Sequence, residues 1–348
     1  MSAPRWRAIG DRPGPALEFL DTLLAEERTA GPPERTEGLE ALRRGVQEGR
    51  IAGGVLCSAD GRVLGLATWS VLRNVGRRVG PILLPAARRD APTWTELLTL
   101  LLDGGDPAGP VVLVDSPMPG FSEAEAQGLL GPRGFHPFHR FALAHAPGAG
   151  SPSPPRPPLE EGRIRPITSA ELEPLVELTA ACYANSVDRF LFGEEPDLIA
   201  GARSLLRALF AGEYGPFVPE ASFGLEIGGR VLGATLVTRR PAYTLLADVM
   251  VHPSLQGRGH ARRLIRSTIG AMPPDPKSPL VLTVTRENAG AFHLYESLGF
   301  VVRQGPFTFW AHRAALGLTG TEGATGPTGD SPSATVPVGM PRPPDSPA

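Results

Sequence analysis

Residues 256–261, QGRGHA, have the composition of a segment that holds a phosphate group through its backbone. They lie directly after a predicted strand, AYTLLADVMV, and directly before a predicted amphipathic helix. Small residues at a helix start leave main-chain N–H groups exposed, and the helix dipole adds to their attraction for negative charge. Glycine and alanine also allow close approach of a ligand. The segment therefore has the features of a pyrophosphate site formed by Gln256, Gly257, Arg258, Gly259, His260 and Ala261. Taken alone, a plain tight turn is the alternative interpretation.

A second group of candidate residues lies in NAGAFHLYESLGF. Asn288, Ala291 and Tyr295 are spaced three and four residues apart, so they share one face of a predicted helix. The hydroxyl of Tyr295 is uncharged at neutral pH and can donate a proton, which suits a general acid. A half-buried core tyrosine whose hydroxyl meets water is the alternative interpretation.

Asp248 is a charged residue in an otherwise apolar predicted strand, on the face opposite Val249 and Val251. A general base, or an anchor for a substrate amine, would explain its position. An ion pair with a neighbouring arginine would explain it equally. Glu226 is the other candidate base, but it lies beside a predicted turn and we expect it to be solvated.

Both segments resemble the signatures of the GNAT superfamily of acyl-CoA-dependent N-acetyltransferases. The first signature is Gln/Arg-x-x-Gly-x-Gly/Ala between a strand and a helix, and Gln256, Gly259 and Ala261 occupy its three positions. The second has an asparagine, a helix with a tyrosine, and then Leu-Gly-Phe, as in ENAGAFHLYESLGF. The resemblance covers about residues 163–313 and implies a mixed α/β sheet of the GNAT type.

The resemblance implies acetyl-CoA as co-substrate and no metal. The pyrophosphate would lie on the N–H groups of residues 256–261, and the acetyl group where the preceding strand splays from the strand LVLTVT. Asn288 would hydrogen-bond the pantetheine region, and Tyr295 would protonate the leaving thiolate. The pantetheine arm would pair like an added strand with Val249, Met250 and Val251.

The basic and imidazole side chains around the first segment have two interpretations. Arg258, Arg262 and Arg266 step by four along one helix face, where they could meet cofactor phosphates or form the solvated face of an amphipathic helix. We favour a functional role for Arg258 alone. We expect the side chains of His252 and His260 to lie at the surface.

These features predict transfer of an acetyl group from acetyl-CoA to a primary amine by direct attack in a ternary complex. The acceptor would be a small-molecule or peptide amine, met by a region that includes Tyr183, Asp188 and Arg189. A non-catalytic acyl-CoA sensor or interaction module is the alternative. An aminoacyl transferase that uses charged tRNA is disfavoured because no basic surface is evident.

The sequence pattern of the elements that position these residues occurs twice in the chain. The pentapeptide GRVLG occurs at residues 61–65 and 229–233, 168 residues apart, and Pro85 and Pro253 are separated by the same 168 residues. Gly134 and Gly299 continue the pattern at a spacing of 165. The order of predicted strands and helices is also the same in both halves, so the sequence predicts two tandem GNAT-like copies.

The first copy lacks the residues that would carry the chemistry. A proline, Pro92, removes one N–H from the corresponding turn. The leucine at the position of Tyr295 cannot donate a proton. We therefore expect a degenerate first copy, in which the positions of Gln256, Gly259, Ala261, Asn288 and Tyr295 are filled by Arg88, Ala91, Thr93, Glu123 and Leu130.

Composition divides the chain and limits its partners. Residues 146–162 and 317–348 are rich in proline, glycine and serine, which predicts a linker and a disordered tail around the domains 1–145 and 163–316. The net charge of −2 and the absence of a long apolar run argue against nucleic-acid and membrane partners. Cys57 and Cys182 form no recognisable motif. We expect a cytoplasmic protein, and a monomer if the duplication replaces a dimer partner.

Overall fold

The computed structural model describes residues 5–10, 13–30, 33–57, 61–72, 76–103, 110–146, 162–184, 186, 188, 197–272 and 278–312. The predicted linker, apart from its end residues 146 and 162, and the predicted tail lie outside this set, as does Arg189. Within the described residues, no helix combines the length and the apolar composition that crossing a bilayer requires.

The described residues form two compact units. The first comprises the described residues up to Phe138 together with residues 308–312, and the second comprises the described residues of the range 139–307. The strands and helices follow one another along the chain in this order: β1 (Arg5–Ala8), α1 (Gly14–Ala30), α2 (Pro33–Gln47), β2 (Ala52–Cys57), β3 (Val63–Leu72), β4 (Gly76–Leu83), α3 (Ala91–Asp103), β5 (Val111–Val114), α4 (Glu123–Leu130), β6 (Phe135–His145), β7 (Arg163–Pro166), α5 (Leu172–Tyr183), α6 (Leu198–Phe210), β8 (Phe223–Ile227), β9 (Arg230–Arg239), β10 (Thr244–Val251), α7 (His260–Ala271), β11 (Leu280–Thr285), α8 (Ala289–Ser297) and β12 (Phe300–His312).

Each unit contains a mixed sheet with the same pairing scheme. The strand order is β1-β2-β3-β4-β5-β12 in the first unit and β7-β8-β9-β10-β11-β6 in the second. All recorded neighbours are antiparallel except β4–β5 and β10–β11, which are parallel. The mixed α/β class predicted from the sequence is therefore present in both units.

The closing strand of each sheet comes from the other half of the sequence. In the second unit, β11 pairs with β6 from Val281↔Ala144 to Thr285↔Arg140. In the first unit, β5 pairs with β12 at Trp310↔Val114. The sequence analysis assigned residues up to 145 to the first domain, whereas residues 139–145 lie in the second unit. Strand pairing uses main-chain groups, so local sequence does not specify which closing strand a sheet receives.

Helices cover both faces of the sheet in the second unit. On one face, α5 and α6 pack against Ala247 and Met250 of β10. On the other, α7 and α8 pack against Val249 and Val251 of the same strand. The strand is therefore buried along its whole length, as expected for a strand that has a parallel neighbour and helices on both faces.

The hairpin that precedes this strand has the predicted turn. Gly228 and Gly229 connect β8 to β9 with φ angles of 57° and 75°, and the flanking residues Ile227 and Arg230 pair. A two-residue turn with two positive φ angles matches the twist of its strands and favours glycine. This hairpin places β9 beside β10 and so fixes one edge of the candidate site.

Candidate functional site

The parallel strands β10 and β11 separate soon after they begin. Both strands are described throughout, and they pair only at Thr244↔Leu280 and Leu245↔Val281. On its other edge β10 continues to pair with β9 as far as Val251, with a bulge between Leu246 and Asp248. The result is an opening between residues 246–251 of β10 and the end of β11, lined on the β10 side by backbone that pairs with no strand there. A segment of extended ligand can bind such a free edge.

The backbone turn between β10 and α7 contains amides for which the described residues supply no backbone acceptor. Gly257 and Gly259 have φ angles of 74° and 81°, and Gly259 caps α7 without a side-chain hydrogen bond. In the described part of the chain, no acceptor is found for the amides of Gly257, Gly259 and Ala261. A helix start without acceptors for its N–H groups is a site for an anion, so the turn fits the pyrophosphate predicted from its sequence.

Two side chains already contact the last carbonyl of β10. The side-chain amide of Gln256 donates to the Val251 oxygen at 3.4 Å, and the Cys182 thiol donates to the same oxygen at 3.3 Å. Burial, and next the charge of Asp248, raise the pKa of the Cys182 thiol to about 12. The thiol is therefore protonated at neutral pH and is no nucleophile.

The expectation that the side chain of His260 lies at the surface is wrong. His260 is 1% exposed, because it begins α7 on the face that also buries Ala261 and Leu264. The sequence analysis placed it with the residues of the loop, which are solvent-accessible, rather than with the inward face of the helix. The side chain of His252 is half-buried, and its Nδ1 lies 2.8 Å from the Ser254 hydroxyl.

The arginines of α7 do not act as one group. Arg262 donates to the Ser297 hydroxyl at 2.7 Å and so connects α7 to α8. Arg263 donates to the Gly162 carbonyl at 3.3 Å. Arg258, in the turn before α7, and Arg266 have exposed side chains.

Asp248 is buried without an ionic partner among the described residues. Its side chain is 2% exposed; the Tyr183 hydroxyl of α5 donates to Oδ1 at 3.2 Å, and Oδ2 has no hydrogen-bond partner. Among the described residues, which do not include Arg189, the proposed ion pair with an arginine is therefore not formed. Burial, assisted by the charge of Asp188, raises the pKa of Asp248 to about 8. A carboxyl group with this pKa can exchange a proton near neutral pH.

Tyr295 reaches the same region from the opposite face of the sheet. Its side chain is fully buried, and its hydroxyl has no hydrogen-bond partner. The alternative of a half-buried tyrosine that meets water is thus wrong. Burial, followed by the charges of Asp248 and Asp188, raises the pKa of this phenol well above its usual value. The phenol is therefore held in its protonated form.

Asp188 belongs to the same buried cluster. It is 1% exposed, accepts a hydrogen bond of 2.6 Å from the Thr285 hydroxyl, and has its Oδ1 3.8 Å from a guanidinium nitrogen of Arg140. The sequence analysis named Asp188 but missed Thr285 and Arg140. Their backbones pair across β11 and β6, and no local signal marks a residue 48 positions before Asp188 as its neighbour.

The remaining predicted residues have identifiable partners. Asn288 caps α8 through its side-chain oxygen, which accepts from the Ala291 amide at 3.4 Å, so the predicted cap is confirmed. Glu226 keeps a partly exposed side chain and forms an ion pair with Arg165 at 2.8 Å, because β7 pairs with β8.

The corresponding strands of the first unit do not separate. Strand β4 has the length of β10 and starts 168 residues earlier, which puts Gly80 at the position of Asp248. After the last pair of β4 and β5, the Asp115 amide donates to the Val79 carbonyl at 2.8 Å. The Ile82 amide then donates to the Ser116 hydroxyl at 2.9 Å. A Cβ at Gly80 would collide with the Asp115 backbone, so no opening exists there.

The helix that follows β4 is closed to anions. The Asp90 carboxylate accepts a hydrogen bond from the Thr93 amide at 2.9 Å, and Pro92 has no N–H to offer. An anion at this helix start would meet a carboxylate and few available donors. The leucine at the position of Tyr295, Leu130, is fully buried and has no proton to donate.

Comparison with known proteins identifies similar sequences and folds. Residues 189–300 match the model of the acetyltransferase (GNAT) family. A search of curated proteins finds no match.

Solved structures with related folds include a GCN5-related N-acetyltransferase from Sphaerobacter thermophilus, which is 20% identical with a TM-score of 0.53 and matches over 89% of this chain and 95% of the other. A GNAT-family acetyltransferase from Colwellia psychrerythraea is 15% identical with a TM-score of 0.42, over 77% and 88% of the two chains. The family model and the Sphaerobacter structure together show that this chain has a mixed α/β fold of the GNAT acetyltransferase type.

Proposed function

We propose that the protein is an N-acetyltransferase that moves an acetyl group from acetyl-CoA to a primary amine by direct attack in a ternary complex. The observation that carries this proposal is a pair of buried, unpartnered polar atoms, Oδ2 of Asp248 and the hydroxyl of Tyr295. Asp248 contacts Tyr183 on the α5 face of β10, and Tyr295 packs with Val249 and Val251 on the other face. Unpartnered polar groups are costly in a core, and a substrate with complementary polar groups would offset that cost.

The residues at the opening fit acetyl-CoA. The amides of Gly257, Gly259 and Ala261 would hold the pyrophosphate, with Gln256, Arg258 and His260 completing the turn. The backbone of Val249 and Met250 would pair with the pantetheine arm. The Val251 carbonyl contributes less, because it already accepts from two side chains. Asn288 would donate from its side-chain nitrogen, since its oxygen caps α8.

Acetyl-CoA supplies a thioester, which an amine can attack once the amine has lost its proton. Asp248 would accept that proton through Oδ2. The Tyr183 hydroxyl donates to Oδ1, which leaves Oδ2 as the oxygen without a hydrogen-bond partner among the described residues. The pKa of Asp248, about 8, allows the carboxyl group to be ionised in part at neutral pH and still to hold a proton firmly.

Tyr295 would give its proton to the departing sulfur. Because burial and the nearby carboxylates raise its pKa, the phenol does not ionise before the sulfur requires a proton. Cys182 is protonated and engaged with a carbonyl, which favours direct attack over an acyl-cysteine intermediate.

We further propose that the first unit is a degenerate copy of the second. The two units have the same order of elements and the same sheet pairing, and the likeness to the Sphaerobacter structure covers more of the chain than either unit contains. In the first unit the opening is closed between β4 and β5. Acetyl-CoA would therefore bind once per chain.

The test is a screen of polyamines, amino acids, aminoglycosides and peptides for amine-dependent release of CoA. Tyr295→Phe should lower kcat about 100-fold, the range typical of a general acid, while acetyl-CoA affinity measured by calorimetry stays within a factor of about three. Tyr243→Phe, a half-buried tyrosine of the same unit, is the matched control and should have wild-type kcat. If Tyr295→Phe keeps full kcat, the acid role is wrong. Acetyl-CoA binding with no turnover of any amine would favour a sensor.

A further inference from the structure

Helix α5 donates side-chain hydrogen bonds to residues 248–251 of β10. The donors are the hydroxyl of Thr179, the thiol of Cys182 and the hydroxyl of Tyr183, and their acceptors are, in the same order, the sulfur of Met250, the carbonyl of Val251 and Oδ1 of Asp248, at 3.1, 3.3 and 3.2 Å. The first donor precedes the other two by three and four residues, so all three lie on one side of the helix.

The hydroxyl of Thr179 donates to a different element from its own. A threonine inside a helix commonly donates to the carbonyl four residues earlier, as Thr22 and Thr29 of α1 do. Thr179 is fully buried and donates instead to Met250, in a strand that packs against α5. This hydrogen bond therefore joins a helix to a strand.

The segment that receives these hydrogen bonds has a strand neighbour on one edge only. Strand β10 pairs with β11 at Thr244 and Leu245, whereas its pairing with β9 continues to Val251. A segment with a free edge lacks half of the main-chain hydrogen bonds that would fix its position in a sheet. The donors of α5 act where the pairing with β11 has ended.

The first unit has the opposite arrangement. Strand β4 stays joined to β5 beyond their last pair, through the hydrogen bond from the Ile82 amide to the Ser116 hydroxyl. The side-chain donors of α1, the first helix of that unit, have other acceptors. Its threonines donate within the helix, and Arg28 donates to Glu40 of α2 at 2.8 Å. Donation from a helix to the strand thus accompanies the open edge of β10, not the closed edge of β4.

We propose that Thr179, Cys182 and Tyr183 form a clasp, a set of positioning residues that fixes residues 248–251 of β10 for the pantetheine arm of acetyl-CoA. The inference rests on the proposed function for the identity of the ligand, whereas the clasp belongs to the protein without ligand. A strand edge that is fixed before binding loses little freedom when a ligand pairs with it, so the clasp raises affinity.

The clasp acts on one end of the ligand. The proposed pyrophosphate site lies at the start of α7, and this helix is held by other contacts. The Thr268 hydroxyl donates to the Ala221 carbonyl at 3.0 Å, and Arg262 donates to the Ser297 hydroxyl at 2.7 Å. Loss of the clasp should therefore weaken binding of the arm and spare binding of the nucleotide end.

Calorimetry on the full-length protein with two ligands tests this difference. Thr179→Val combined with Cys182→Ala should raise the Kd of acetyl-CoA about tenfold, the worth of one ordinary hydrogen bond. The Kd of 3′-phosphoadenosine 5′-diphosphate, the part of CoA without the arm, should stay within a factor of about two. Thr179→Ser and Cys182→Ser each keep a hydroxyl donor and should have the wild-type Kd for acetyl-CoA.

Thr238→Val is the matched control. Thr238 is a fully buried threonine of β9, and its hydroxyl donates to the Tyr214 carbonyl at 2.9 Å. The variant removes a buried hydrogen bond from the same unit but none from β10. Both ligands should bind it with the wild-type Kd.

Amide hydrogen exchange tests the clasp without any ligand. In the double variant, the amides of Val249 and Val251 should exchange about tenfold faster than in the wild type, because the segment opens locally. The amides of Thr244 and Leu245, where β10 pairs with β11, should keep their rates. Tyr183→Phe removes the third donor and should give the same local increase.

Equal losses of affinity for the two ligands, or faster exchange along the whole of β10, would indicate general loosening and overturn the clasp. So would a folded double variant with wild-type exchange at Val249 and Val251. If the double variant does not fold, Cys182→Ala, at a half-buried position, carries both tests with an expected change of about threefold.

The two proposals fail in different ways. Faster local exchange in the double variant of a protein that binds no acetyl-CoA would retain the clasp and reject the proposed function. Acetyl-CoA binding and amine turnover, with exchange rates that none of these variants changes, would retain the proposed function and reject the clasp.

Discussion

Replacing Asp248 by asparagine should make the second unit more stable than in the wild type, by a margin that grows as the pH rises. The folded carboxyl group has a pKa of about 8, against its ordinary value of 3.8. When folding raises the pKa of a group, its contribution to stability is complete at pH values below the pKa in the unfolded chain. That contribution is lost as the pH rises towards the pKa in the folded protein. The wild-type protein should therefore lose stability between about pH 4 and pH 8, and the variant, which cannot ionise, should not.

The size of the effect follows from the same two values. They differ by about 4 pH units, and each unit corresponds to about 1.4 kcal/mol. The free energy of unfolding of Asp248→Asn minus that of the wild type should thus increase by about 1.4 kcal/mol per pH unit, to a plateau of about 6 kcal/mol above pH 8. Asparagine keeps an oxygen that can accept from Tyr183, so that hydrogen bond survives the change.

Urea unfolding at a series of pH values provides the measurement. Tyrosine second-derivative absorbance follows the second unit, and tryptophan fluorescence follows the first. Glu173→Gln is the control, because Glu173 is exposed and its hydrogen bond with Arg203 lowers the pKa of its carboxyl group instead of raising it. Its difference curve should be flat from pH 5 to 8. A flat curve for Asp248→Asn as well would refute the assignment of a protonated, buried Asp248.

Two further predictions test the turn before α7 and the pairing of β6 with β11. Gly259→Ala should raise the acetyl-CoA Kd about tenfold and lower stability by about 1 kcal/mol, since its φ of 81° strains a Cβ beside the ligand. Gly228→Ala is the control, because Gly228 has a φ of 57° in the β8–β9 turn and open space around it. It should cost about the same stability and leave the Kd measured by calorimetry unchanged. Equal losses of affinity in the two variants would argue against the turn before α7 as the phosphate site. A fragment of residues 163–348 lacks the strand that pairs with β11 and should aggregate, whereas residues 134–348 should unfold cooperatively by tyrosine absorbance. Cooperative unfolding of the shorter fragment would show that the second unit folds without β6.

Local sequence was sufficient for the backbone of the site. The Gly228–Gly229 turn, the Asn288 cap and the glycine turn before α7 lie where the sequence predicted them. Each of these features depends on φ preference or on hydrogen bonds within a few residues. The mixed α/β sheet also follows from the order of these elements, and a family match over residues 189–300 agrees with the resemblance seen in the motifs.

Burial and charge at the site were decided only by the tertiary structure. The sequence placed Asp248 on the correct face but left its partner open between an arginine and a substrate; packing of α5 supplied Tyr183 and no arginine. It also expected His260 at the surface and did not connect Arg140 with Asp188. The physical reason is distance along the chain: Tyr183 and Asp248 are 65 residues apart. Desolvation and charge coupling arise only when such remote side chains are packed together.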